Sequence, residues 1–259
     1  MSKSIKRKTG KHVAALAAVL VLLLIAAVLA EQFLFPLADT DAGQKVMDYA
    51  KENKFSYRDY PKSLIELLER NPETEKFVLE YPVAKDLEYT IDLSEYSRDT
   101  VPLFLQWDQR WGYIQYGSDV AGLTGCGPVC LSMAAFYLTG SDAYSPDKMI
   151  TFASENGYYV SGSGSSWTLI SEGGVDLGFD VTELPLDENR IRANLEVGNP
   201  IICVMGPGDF TTSGHFIVLT DWKDGYIRIN DPNSIANSEK LWTYDQIAGQ
   251  IRNLWAIRN

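Results

Sequence analysis

Histidine and cysteine are both scarce in this chain of 259 residues, which has two of the first and three of the second. That scarcity excludes several architectures. Cys126, Cys130 and Cys203 are too few for a disulfide scaffold, and an odd count points to at least one free thiol. His12 falls among the first residues, so His215 is the one histidine in the body of the chain. No Cys/His cluster with zinc-ligand spacing is available, and no metal or cofactor is expected. Positive charge is short as well, with 23 Lys and Arg against 34 Asp and Glu. Five of those cations (Lys3, Lys6, Arg7, Lys8 and Lys11) stand in the first 11 residues, which leaves 18 basic against 34 acidic residues and a net charge near −16 for the remainder. Such a surface repels phosphate backbones and anionic headgroups, so nucleic acid is not an expected partner. Repeats and low-complexity tracts are absent.

The start of the chain is different in kind. The basic residues lead into Val13–Ala30, an unbroken apolar run of 18 residues, about the length that crosses a bilayer as a helix. A basic flank before an apolar run is the pattern of a secretory signal, and it leaves the lysines in the cytoplasm. Val28-Leu29-Ala30 is an acceptable cleavage site, whereas the length of the run and Phe33-Leu34-Phe35 beyond it suit an uncleaved anchor. Residues 1–35 are therefore expected to be a signal peptide or signal anchor. The rest would be secreted or held by its N-terminal membrane helix at the outer face of the cell membrane.

Residues 36–100 read as a linker and a small helical segment. Helical spacing of apolar residues runs from Gln44 to about Lys54 and from Ser63 to Leu79, with Asn71-Pro72 breaking the second stretch. The main domain is expected over 101–259. Val101–Leu105 suggests a short strand and Gln106–Gly125 a long loop. Helices follow at about Gly127–Leu138, Pro146–Glu155, Ser166–Leu177 and Glu188–Glu196. The period then changes to strands at Pro200–Met205, His215–Asp221, Tyr226–Asp231 and Leu254–Ile257. Helices first and antiparallel strands second is an α+β arrangement.

Gly125-Cys126-Gly127-Pro128 stands where the long loop meets the first of these helices. Proline suits the opening turn of a helix, and a cysteine there feels the positive end of the helix dipole, which favours the thiolate. The flanking glycines would let a substrate backbone approach. Cys130, one turn on, and Cys203, within the apolar Ile201–Val204, read as core, with a bridge between them as the alternative. His215 opens the strand His215–Leu219, so a nucleophile-and-base pair in the order cysteine then histidine is available. Asn230, Asp231 and Asn233 are the candidates to orient the imidazole. A three-residue turn at Lys223-Asp224-Gly225 would set 215 opposite 233 and 217 opposite 231, gathering Ile217, Leu219, Ile227 and Ile229 on one face. A two-residue turn would oppose Leu219 to Asn230 and put Asn230 on the histidine face. Apolar coherence favours the first register and hence Asp231. For an oxyanion the Cys126 N–H is one donor; Gln106, or failing it Gln115, is the candidate for a second.

Together, Val101–Trp111, Tyr116-Gly117, Gly125–Pro128, Gly214–Val218 and Asn230–Asn233 resemble the cysteine peptidase family 39-like domains, relatives of the double-glycine peptidases that process bacteriocin leaders. The resemblance covers about residues 101–259. It implies a papain-like fold, with N-terminal helices packed on a C-terminal antiparallel sheet, a triad of Cys126, His215 and Asp231, and Gln106 as oxyanion donor. In the bacteriocin-processing relatives that glutamine stands six residues before the nucleophile. Position 120 is valine here, and Trp107–Thr124 is similar to an insertion carried by exported members.

Hydrolysis of a peptide or cell-wall amide through an acyl-enzyme is the expected activity. An acyl transferase on the same triad, or a non-catalytic binding module that keeps the cleft, are the alternatives. Trp107, Trp111 and Trp167, with the Gly157–Ser166 loop, either line such a cleft or merely cover surface.

Overall fold

The computed structural model describes residues 17–25 and 37–259. Residues 17–25 are helical, with exposed apolar side chains such as Leu22 and Leu24. The ends of the Val13–Ala30 run and the cleavage motif lie outside the described residues. Among those described, no helix is long and apolar enough to cross a membrane. The chain divides into two compact units, which join in sequence at Pro72 and Glu73.

The first unit is a helix pair. Helix α1, Asp41–Asn53, starts where the Thr40 side chain accepts from Gly43 N at 3.1 Å, and ends at Lys54 in the left-handed conformation. Ala42, Val46 and Ala50 recur every four residues and form its buried stripe. Helix α2, Lys62–Arg70, follows Pro61 and buries Leu64, Ile65, Leu67 and Leu68. Glu69 Oε2 accepts from Ala42 N at 3.1 Å, tying the end of α2 to the opening of α1. The break expected at Asn71-Pro72 is present, and the next helix, Glu75–Leu79, begins the second unit.

The second unit is α+β, as the order of periodicities suggests. Its centre is helix α3, Cys126–Thr139, stopped by Gly140 at φ 69°. Every residue from Gly127 to Phe136 is buried, so this helix has no polar face; α4, Pro146–Glu155, packs on one side and the sheet on the other. Helix α5, Glu188–Leu195, is capped by Asp187, whose side chain accepts from Arg190 N. The antiparallel sheet has five strands: β1 Asp180–Glu183, β2 Ile201–Met205, β3 His215–Lys223, β4 Tyr226–Asn230 and β5 Ile251–Arg258. They lie in the order β1-β5-β2-β3-β4.

Strand parity divides the core in two. Ile202, Val204, Phe216, Val218, Trp255 and Ile257 pack with α3, while Ile201, Cys203, Met205, Ile217, Leu219 and Ile229 pack with Ile191, Leu195 and Trp242 on the other face. Cys130 belongs to the first core and Cys203 to the second, both fully buried. The sheet stands between them, so the alternative of a Cys130–Cys203 bridge is excluded and all three thiols are free. Burial in apolar surroundings pushes both the Cys130 and Cys203 thiols up.

One local expectation needs correction. Val101–Leu105 forms no strand: Pro102 has no N–H for a ladder, and the segment is held instead by side chains described below. The helix expected at Ser166–Leu177 is present, opening as a π-helical segment, Leu169–Gly173, that continues into Gly174–Asp176. With every thiol free, reductant should leave the melting temperature unchanged, and thiol titration in denaturant should return three groups per chain. A count of one would mean that a disulfide forms.

Candidate active site

Cys126 is the first residue of α3 and is partly buried. The short helix Ala121–Thr124 and Gly125 deliver the chain to it. The neighbouring glycines are required by packing. A Cβ on Gly125 would stand 2.7 Å from Ala121 O, and one on Gly127 2.6 Å from Ser165 Oγ. Ser165 belongs to the hairpin Tyr159–Val160/Gly164–Ser165, and its hydroxyl is 2.8 Å from the Tyr116 hydroxyl in a buried hydrogen bond. The space beside Gly127 is therefore filled by this chain, not left open for a substrate backbone.

His215 begins β3, and its position relative to β4 is set by two compensating irregularities. The hairpin turn is the two-residue Asp224-Gly225, with φ of 54° and 83°, rather than the expected three-residue turn. Lys223 opposes Tyr226 and Asp221 opposes Arg228, but a bulge at Thr220 then shifts the ladder by one, so Leu219 opposes Ile229 and Val218 opposes Asn230. The register at the far end is thus the one that apolar coherence demanded, reached by a different turn. Ile217, Leu219, Ile227 and Ile229 do share one core.

At that end His215 Nε2 donates to Asp231 Oδ1 at 2.7 Å, with the residues 8% and 1% exposed. Asp231 Oδ1 also accepts from Asn233 N at 2.9 Å, and Oδ2 accepts from Asn237 Nδ2 at 2.8 Å. Asn237 lies on the short helix α6, Ile235–Glu239. Burial works against charge on both partners, yet the mutual attraction outweighs it. His215 is pushed from the ordinary 6.5 up to about 10 by the Asp231 charge and hydrogen bond and by the Cys126 thiol beside it. Asp231 is held below its ordinary value by His215 and by its Asn237 and Asn233 donors.

Gln106 is 4% exposed. Its Nε2 donates to Gly122 O at 2.9 Å, four residues ahead of Cys126, and its backbone N–H donates to Pro232 O at 2.7 Å. The Oε1 end is buried without a hydrogen-bond partner. Facing a carbonyl, the amide must present nitrogen, so the orientation is fixed and one Nε2 proton remains beyond the bond to Gly122. Asn230 and Asn233, the other candidates to orient the imidazole, do so only indirectly. Asn230 Nδ2 donates to Val101 O and Pro102 O at 3.0 and 2.9 Å, and Asn233 O accepts from Trp107 Nε1 at 3.1 Å. These bonds lace residues 101–107 to the loop that carries Asp231. Gln115 is spent on its own hairpin turn, donating to Gly117 O and Asp119 O. Trp111 is core, at 1% exposed, and Trp167 is exposed, in edge contact with Trp255 at 6.3 Å. Among the described residues no group of three or more His, Cys, Asp or Glu could hold a metal ion.

The model of the Peptidase_C39 like family, Peptidase_C39_2, matches residues 98–259. The chain belongs to that family. Among solved structures, this C39-like chain is similar to the peptidase domain of Streptococcus ComA, a bi-functional ABC transporter involved in a quorum-sensing pathway. The two are 18% identical with a TM-score of 0.42, over 61% of this chain and 98% of that one. A putative C39-like peptidase from Bacillus anthracis is similar at 13% identity and a TM-score of 0.37, over 66% of this chain and 99% of the other. No curated protein matches.

Two partners of the C39-like site were not legible in its sequence. Asn237 is six residues past Asp231 and carries no spacing signal, and Ser165 enters only because a distant hairpin folds against Gly127. The buried pair gives folding a definite pH dependence. A raised histidine stabilises fully below its unfolded value near 6.5 and loses that contribution as pH rises through about 10. A lowered carboxylate stabilises above its unfolded value near 3.8 and loses that contribution as pH falls through its folded value. Melting temperature should therefore fall between pH 6.5 and about 10 in the native chain, and His215→Gln should flatten that arm. Parallel curves for the two would rule out a charged His215 in the fold.

Proposed function

We propose that the chain is a thiol-dependent peptidase in which Cys126 is the nucleophile, His215 its acid–base partner and Asp231 the residue that holds the imidazole. The observation that carries this reading is the buried 2.7 Å bond from His215 Nε2 to Asp231, with the Cys126 thiol at the start of α3 on the same imidazole. With Nε2 committed to Asp231, Nδ1 is the nitrogen that takes the thiol proton. The thiolate then attacks the carbonyl carbon of a peptide or cell-wall amide. The oxyanion is met by the Cys126 N–H and by the second Nε2 proton of Gln106. Collapse of the tetrahedral intermediate breaks the C–N bond, the amine leaves with the Nδ1 proton, and a water deprotonated by His215 hydrolyses the thioester. The basic residues before Val13–Ala30 support export, so we place the peptidase at the outer face of the membrane or secreted, acting on an external amide.

The test is the pH dependence of iodoacetamide labelling at Cys126, with His215→Ala in parallel. Labelling that is fast at about pH 6 and slowed by the substitution is the expected result. Equal and slow labelling in both would give the site to a non-catalytic binding module. Once a cleaved peptide is in hand, Gln106→Ala should lower kcat by about a hundredfold or more, with KM changing little. A kcat within about twofold of the native value would remove Gln106 from the oxyanion site.

A further inference from the structure

Asp231 is held from behind by α6, a helix of five residues. A helix this short has no stability of its own, so its position depends on what grips it. Three groups do. Glu73 Oε2 and Oε1 accept from Ile235 N at 2.7 Å and Ala236 N at 3.0 Å, taking two N–H groups that a helix start leaves unpaired and placing a carboxylate at its positive end. Ser234 Oγ accepts from Asn237 N at 3.2 Å. At the other side, Trp242 Nε1 donates to Asn237 O at 3.0 Å, and Trp242 is itself buried with its ring 4.7 Å from Phe210. Asn237 is thus fixed through its backbone N–H and its carbonyl, and its side chain points Nδ2 at Asp231 Oδ2. Ser238, next on the helix, accepts from Asp231 N at 2.9 Å.

We infer that Asn237 and Glu73 are positioning residues for the triad: Asn237 fixes the Asp231 carboxylate by direct hydrogen bond, and Glu73 fixes the helix that presents Asn237. The inference rests on the catalytic reading above. Oδ1 is shared by His215 and Asn233, whereas the donor on Oδ2 is Asn237. Without it the carboxylate is free to turn about its last bond, and the 2.7 Å bond that holds the imidazolium loosens. Glu73 lies 25 residues ahead of Arg98, where the family match begins, so this support comes from a part of the chain outside the matched domain.

The test uses the full-length chain and compares Cys126 alkylation at about pH 6 with that at about pH 10, where the thiolate forms without help. The ratio of the two rates reports the imidazolium partner and is insensitive to a merely looser fold. Asn237→Ala should lower it about tenfold, the size of one lost hydrogen bond to a charged group. Glu73→Ala should lower it about threefold, and Glu73→Gln, which keeps one acceptor, should recover part of that loss. Ratios unchanged in Asn237→Ala and Glu73→Ala, with the native chain fast at pH 6, would overturn the inference, even if those variants melted at lower temperature. A native chain no faster at pH 6 than His215→Ala would remove the catalytic reading and this inference with it.

Discussion

A carboxylate that is 1% exposed at the end of an apolar sheet is tolerable only if its charge is matched and both its oxygens are occupied. Asp231 meets that requirement with the His215 imidazole on one side and the Asn233 and Asn237 donors around it. Much of the surrounding architecture follows from the need to bring those groups together. The bulge at Thr220 corrects the register that the Asp224-Gly225 turn would otherwise impose. Pro232 O receives the Gln106 N–H, so the loop that positions the aspartate also positions the glutamine. Cys126 arrives from the other direction, at the start of a helix so completely buried that it has little freedom to move relative to the sheet.

Gln106 shows where the fold gives up stability. A buried acceptor without a partner costs about 1–3 kcal/mol, and Oε1 is such an acceptor. The alternative orientation would set Oε1 against Gly122 O and lose the hydrogen bond that Nε2 donates there. Trp255 Nε1, in the core, is a second buried polar atom without a hydrogen-bond partner among the described residues. Elsewhere in the sheet, strand parity sorts nearly every large side chain into one core or the other.

Elements whose signals are local could be read directly. Pro146–Glu155 begins at a proline in its first turn, β2, β3 and β5 each carry a run of buried residues, and β4 alternates buried with exposed ones. Strand β1 escaped notice because Asp180-Val181-Thr182-Glu183 is a largely exposed edge with no apolar alternation. Val101–Leu105 looks like a strand by composition, but its carbonyls are taken by the Asn230 side chain, a contact across more than 120 residues. In the hairpin, apolar pairing constrains register more strongly than turn chemistry does: the turn is shorter than its sequence suggests, yet the register is the one that apolar pairing favours. The candidate site divides in the same way. Cys126, His215 and Asp231 stand in motifs, and a chain with one histidine beyond residue 12 leaves few other choices. Asn237 and Glu73 reach the site only through α6, whose placement depends on tertiary contacts.

The charge on an imidazole buried against Asp231 can be observed directly. Nitrogen NMR of a histidine-labelled chain, with His12→Asn to leave one imidazole, reports the protonation of both ring nitrogens. Between pH 6.5 and about 10 His215 is expected to carry a proton on each nitrogen. An imidazole that titrates near its ordinary value of 6.5, neutral through that interval, would contradict it.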